Sequence, residues 1–265
     1  LTDADEEIAN GIPNLLISYH ETQADADNNL FPIIGEYNNI VAYEQTIYVR
    51  VEDTTITTDC FSYVELVILV HDMPQIDFDP LPLEICDDEI EDGFAVFDLS
   101  QSNEQVLNGL DPSDFTITYY ETQENAENTE NAILAPFAYT NITAFNQFIW
   151  VHVEDNETGC FNFTSLELIV NELPELFQPT PLNLCDDNNP GDEVEEFTLE
   201  DSMEEVLQGQ TGIEISFYET QEDADNATNP ITSPYTNTSN AQTIYIRGEN
   251  EITGCHSTIT LDLRV

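Results

Sequence analysis

The chain has no lysine. Its fixed positive charges are Arg50, Arg247 and Arg264, set against 54 Asp and Glu, for a net charge of −51 over 265 residues. This balance excludes nucleic acid as a partner, because phosphate binding requires Lys and Arg to displace counterions. Attraction to anionic lipid fails for the same reason. Lysine Schiff bases and Lys–Asn isopeptide staples are impossible, so any covalent or ionic cross-link must come from cysteine or metal. The sequence has no run of 18 apolar residues, so no direct membrane insertion is expected, and no signal-peptide pattern, so export and anchoring determinants are expected elsewhere. The four histidines are scattered, with no nucleophile or paired acid at a useful spacing. The expectation is a non-enzymatic protein.

What is present is repetition. Tyr19-His-Glu-Thr-Gln-Ala-Asp-Ala-Asp-Asn28 recurs as Tyr119-Tyr-Glu-Thr-Gln-Glu-Asn-Ala-Glu-Asn128 and Phe217-Tyr-Glu-Thr-Gln-Glu-Asp-Ala-Asp-Asn226, at offsets of 100 and 98 residues. Gln45-Thr-Ile-Tyr-Val-Arg-Val-Glu-Asp53 recurs as Gln147-Phe-Ile-Trp-Val-His-Val-Glu-Asp155 and Gln242-Thr-Ile-Tyr-Ile-Arg-Gly-Glu-Asn250, each followed by a cysteine at 60, 160 or 255. A period near 100 residues is that of a whole small domain. Three domains are expected, at 1–70, 71–170 and 171–265. Leu1 aligns with Leu99 and Leu199, so the first repeat is expected to lack the opening segment that the others carry at Pro82–Asp98 and Pro181–Thr198.

Apolar and polar residues alternate in Phe115–Tyr120, Ile47–Val51 and Phe163–Val170, the period-2 signature of half-buried strands. Thr22 and Thr220, each with a carboxylate three residues on, predict N-capped short helices, and Ser102–Leu107 predicts another ending at Gly109. About seven short strands per repeat, with tight turns at Thr158-Gly159 and Thr253-Gly254, predict an all-β chain of tandem immunoglobulin-like Greek-key sandwiches. Short proline-bearing junctions at Pro74 and Pro174 predict an extended rod.

Three sets of candidate residues stand out. Asp87, Asp88, Glu91 and Asp92 around Gly93, and Asp186, Asp187 and Asp192 around Gly191, crowd oxygen donors at a spacing that suits calcium, although Ile90 and Pro190 interrupt the usual ligand pattern. A solvated acidic turn is the plainer reading, but mutual repulsion of the carboxylates favours a recruited cation. The five cysteines fit a disulfide framework from an oxidising compartment. Either Cys86–Cys160 and Cys185–Cys255 close each repeat, leaving Cys60 over, or Cys60–Cys86 and Cys160–Cys185 bridge the junctions, leaving Cys255. The first is favoured, because strands that open and close a sandwich are commonly neighbours. Finally, Tyr48, Trp150 and Tyr245 share one strand position and offer a stacking platform for surface glycans; cross-strand packing is the stronger alternative.

The ordered set Cys-Asp-Asp followed by Gly-Phe-x-x-Phe-Asp-Leu, then Tyr-Tyr-Glu-Thr-Gln, Pro-Tyr-Thr-Asn and Gln-Thr-Ile-Tyr-Val-Arg-Val-Glu-Asp…Thr-Gly-Cys resembles the repeats of giant surface adhesins of Bacteroidota. Those proteins are exported by the type IX secretion system and often linked to gliding motility. The resemblance implies an extracellular, cell-surface filament whose partners are further copies of the same repeat in a longer chain, with surface glycans or abiotic surfaces as possible ligands.

Overall fold

A computed structural model describes residues 1–56, 60–88 and 90–265. It divides into two compact units, Leu1–Pro74 with Glu157–Cys160, and Gln75–Asn156 with Phe161–Val265.

The first unit holds repeat 1. After a 3-10 turn come α1 (Asp5–Ala9), β1 (Leu15–His20), α2 (Gln23–Asn28), β2 (Glu44–Asp53) and β3 (Phe61–Leu69). The strands form an antiparallel sheet of order β1-β2-β3. Its core is small: Tyr19, Ile47 and Val49 are buried, with Leu1, Ile8, Leu66 and Ile68 packed against them but only partly covered.

The second unit holds repeats 2 and 3. Repeat 2 begins with β4 (Leu83–Cys86) and β5 (Val96–Phe97), followed by α3 (Asn103–Leu107), β6 (Phe115–Tyr120), α4 (Gln123–Asn128), β7 (Tyr139–Thr140), β8 (Asn146–Asp155) and β9 (Phe161–Asn171). Repeat 3 follows the same order with β10 (Leu182–Asn183), β11 (Glu196–Phe197), α5 (Met203–Leu207), β12 (Ile213–Tyr218), α6 (Gln221–Asn226), β13 (Tyr235–Thr236), β14 (Gln242–Asn250) and β15 (His256–Arg264). Each has a four-stranded sheet, β4-β9-β8-β6 or β10-β15-β14-β12, and a two-stranded ribbon, β5-β7 or β11-β13. The expected class of tandem immunoglobulin-like sandwiches holds, with six strands among the described residues of repeat 2, near the expected number of about seven. The opening strand adds to the sheet edge in parallel, β4 on β9 and β10 on β15.

The predicted strands lie in β2, β6 and β9, and burial follows the alternation: Leu166, Leu168 and Val170 point inward from β9, and Ile149, Val151 and Val153 from β8. Each such side chain contributes roughly 1.5–3 kcal/mol of burial free energy. Thr22 and Thr220 accept the backbone N–H of Asp25 and Asp223, as the capping pattern predicts. Ser102 behaves differently. Its hydroxyl donates to Leu99 O, and Asp98 caps a 3-10 turn that leads into α3. The junction residues after each proline are not free linkers, because Ile76 is buried in the repeat 2 core and Leu176 packs against that of repeat 3.

The signature motifs meet in space. Tyr139 receives a hydrogen bond from Gln147 Nε2 at 2.7 Å and donates to Glu121, and Tyr235 does the same with Gln242 and Glu219. Burial raises the pKa of both hydroxyls, so they stay protonated donors. Asn141 then ties in the opening segment: its Oδ1 accepts Ala95 N–H at 2.7 Å and its Nδ2 donates to Gly93 O at 2.8 Å. Asn237 repeats both contacts with Glu195 and Glu193. Arg247 is buried and donates to the carbonyls of Ala224 and Asp225 at the end of α6 while pairing with Glu249, and Arg50 serves α2 in the same way.

Candidate functional site

Cysteine chemistry at the meeting of repeats 2 and 3 forms the most developed site in the second unit. Cys86 is the last residue of β4, level with Asn171 at the far end of β9, and Asp87 N–H continues the ladder to Asn171 O at 2.9 Å. Cys255 is fully buried in the turn between β14 and β15. That turn is specified by its own residues: Asn250 Oδ1 accepts the N–H groups of Ile252 and Thr253, Thr253 Oγ1 accepts Cys255 N–H, and Gly254 takes φ +71°. Only glycine enters that left-handed region at little cost. The turn holds the thiol against Cys86, and the two form a disulfide with Cα atoms 5.5 Å apart, closing a separation of 169 residues.

This pairing replaces both expected schemes. Cys86–Cys160 cannot form because β4 runs parallel to β9. Cys160 precedes the first residue of β9 while Cys86 lies beside its last, and 11 residues of strand put roughly 35 Å between those levels. Cys185 follows β10 and faces the same obstacle toward Cys255, which precedes β15. The Cys60–Cys86 alternative fails because Cys86 is taken by Cys255, and Cys160 and Cys185 carry no disulfide. The bond therefore joins the opening segment of one repeat to the closing hairpin of the next.

A cleft of about 560 Å³ flanks the bond, lined by Asp87, Asp88, Glu91, Asp225 and His256 among others. Desolvation, reinforced by the charge of Arg247, lowers the His256 pKa and keeps the imidazole neutral near pH 7.

The acidic residues singled out for calcium are largely turned onto their own loops. Asp87 is buried; its two oxygens accept Asp88 N–H and Gly93 N–H, both at 2.9 Å. Asp88 accepts Ile90 N–H and Asp92 accepts Phe94 N–H, while Glu91 is exposed. In repeat 3, Asp186 Oδ2 accepts Gly191 N–H and Asp192 accepts Val194 N–H, whereas Asp187 is exposed. Asp186 Oδ1 is buried without a partner. Among the described residues, no three His, Cys, Asp or Glu side chains converge in a way that would hold a metal ion.

Tyr48, Trp150 and Tyr245 are half-buried. Trp150 meets Phe163 edge-on with centroids 5.8 Å apart, and Tyr48 meets Tyr63 at 6.4 Å. Cross-strand packing thus occupies part of the Trp150 and Tyr48 rings. The residues that sequence reasoning passed over are Arg50, Arg247, Asn141 and Asn237, which bond backbone groups, the two arginines pairing with Glu52 and Glu249 as well. The recurrence of the asparagine in all three repeats, and of the arginine in the first and third, was the available signal.

The sequence profile described as "Flavobacterium inter-domain disulphide bond domain" matches residues 1–74, 82–174 and 181–265. No curated protein sequence matches the chain. Among solved structures, a three-Ig fragment of titin aligns at 10% identity over 95% of this chain and 88% of that chain, with a TM-score of 0.29. Drosophila N-cadherin EC1-4 aligns at 13% over 96% and 68%, with a TM-score of 0.23. These superpositions are too loose to carry weight.

Proposed function

The chain belongs to the Flavobacterium inter-domain disulphide bond domain family, and from that membership we propose that it is an extracellular structural and adhesive repeat array whose domains are stapled in series to transmit tension. The observation that carries this reading is the Cys86–Cys255 bond, which joins successive repeats. A disulfide of this kind belongs to an oxidising compartment. Among the described residues, no helix is long and apolar enough to cross a membrane. Export by the type IX route and a place in a gliding-type adhesin belong to the proposal, supported by the ordered motifs of the three repeats. No enzymatic step is included.

Under load, the bond would divert force past everything between its ends. Pulling single molecules by their termini tests this. At full extension each residue spans about 3.5 Å, so the 169-residue bracket hides on the order of 600 Å of contour until a reductant is added. Equal extension with and without reductant would remove the mechanical role. Calcium enters the proposal as an ion held by the Cys-Asp-Asp loop of repeat 3, supported by the net charge of −51 and by the unpartnered Asp186 Oδ1. Glycan stacking on the exposed edge of Trp150 is a separate reading, which a glycan array with Trp150→Ala as control would test.

A further inference from the structure

We propose that the outer edge of the repeat 1 sheet is a strand acceptor. Its occupant is a polypeptide segment of the Pro-Leu-x-Ile-Cys-Asp-Asp…Gly-Phe type, which docks parallel to β3 and presents its cysteine to Cys160.

Repeats 2 and 3 show what covers the corresponding edges, namely β4 on β9 and β10 on β15. In repeat 1, β3 is the edge of a three-stranded sheet, and no strand among the described residues pairs with its other side. The side chains report the difference. Leu166, Leu168 and Val170 are at most 3% exposed, whereas their counterparts Leu66 and Ile68 are only partly buried and Val70 is 45% exposed. An open, apolar strand edge is a template for pairing.

A second element of the acceptor is already in place. Asn39 stands where Asn141 and Asn237 grip their opening segments, two residues after Tyr37, as they are after Tyr139 and Tyr235. Asn39 Nδ2 bonds Val41 O at 2.7 Å, matching the Asn141 contact to Thr143 O. The two further contacts that Asn141 makes, to Ala95 N–H and Gly93 O, have no counterpart at Asn39 among the described residues. Tyr43 likewise sits in the left-handed region at φ +67°, as does Phe145 at +64° beneath Gly93, but it is 61% exposed.

The third element is the thiol. Residues 157–160 belong to the same compact unit as repeat 1, and Cys160 carries no disulfide. Its turn matches that of Cys255, with Cys160 N–H donating to Thr158 Oγ1 and Gly159 at φ +69°. A segment docked beside β3 would stand to Cys160 as Cys86 stands to Cys255. Closing that link oxidises two thiols to one disulfide. The two electrons and two protons pass to a small-molecule disulfide such as oxidised glutathione, which leaves as two thiols. The acceptor exists whether or not the staple carries force.

The test uses the full chain and a synthetic peptide with the sequence Leu81–Asp98. At about 1 mM peptide, amide exchange in β3 should slow by about tenfold or more, with β9 and β15 unchanged because their edges are filled. A Gly93→Ala peptide should protect β3 at least about tenfold less, since a Cβ at Gly93 in repeat 2 lies 2.8 Å from Phe145 N. A Cys86→Ser peptide should still protect β3. With oxidised glutathione present, mass spectrometry should find the native peptide on Cys160 in preference to Cys185. Unchanged β3 exchange, or protection indifferent to Gly93→Ala, would overturn the acceptor; equal attachment to Cys160 and Cys185 would overturn the thiol assignment.

Discussion

Repeats 1 and 2 place nearly the same side chains on nearly the same strands, yet they bury them differently. Leu66 and Ile68 are partly covered where Leu166 and Leu168 are sealed, and Leu1 and Ile8 are half-buried where Leu99 and Val106 are fully enclosed. The strand residues themselves do not account for this. The contrast lies in the opening segment, which closes the sheet edge with β4 and the second layer with β5. A strand's inward face is a core only when another layer covers it, so burial is a property of the neighbour as much as of the sequence.

The largest way to break the comparison is to cut the staple. Cys86→Ser should cost repeats 2 and 3 on the order of 4 kcal/mol, read from denaturant midpoints, because the bond closes a 169-residue loop in the unfolded chain. Repeat 1 should be indifferent to the same change. Next in size, Leu166→Ala should cost about 3 kcal/mol, and Leu66→Ala less than about 1 kcal/mol, since only the former leaves a sealed cavity. Similar losses at the two sites would show that repeat 1 is as tightly packed as repeat 2.

Asn141→Ala should follow at about 2 kcal/mol, because Ala95 N–H and Gly93 O lose their partners, while Asn39→Ala should be close to neutral. A smaller gain is expected from His152→Arg. Repeat 2 has an imidazole where Arg50 and Arg247 cap the preceding helix, and His152 Nε2 is buried without a partner. Arginine there should reach the carbonyls of Ala126 and Glu127 and add about 1 kcal/mol.

The pH dependence sharpens the same point. Desolvation lowers the His152 pKa from its usual 6.5, with Glu154 opposing, so the fold favours the neutral ring. The stability this contributes is present above pH 6.5 and is lost as pH falls through the window below it. His152→Arg should therefore flatten the acid limb of the repeat 2 melting curve, and an unchanged limb would assign the titration elsewhere. The smallest effect belongs to calcium. Because Asp87 already accepts two backbone amides, millimolar calcium at fixed ionic strength should raise the melting temperature only through the repeat 3 loop, where Asp186 Oδ1 is open. An equal shift in an Asp186→Asn variant would place the ion elsewhere.

The strands and caps were legible because their causes are local: alternation in Phe163–Val170 and a threonine three residues before Asp25 or Asp223 act within one turn or one strand. The direction of β4 was not. Leu83-Glu84-Ile85-Cys86 reads the same in a parallel or an antiparallel ladder, and that single ambiguity decides which cysteine lies within reach. The arginine caps were illegible for another reason. The acceptors that tie them to the helix end are main-chain carbonyls, which every residue carries, so no partner residue type marks that contact.

The Cys86–Cys255 bond also changes what it takes to sever the chain. Any single backbone cleavage between residues 87 and 254 leaves two pieces still held together by sulfur. A protease that nicks an exposed loop there, such as the one containing Leu134, would wound the molecule without shedding what lies beyond the cut. Release would need a second event, a reductant or a cut outside the bracket, so continuity along this stretch outlasts the integrity of its peptide bonds.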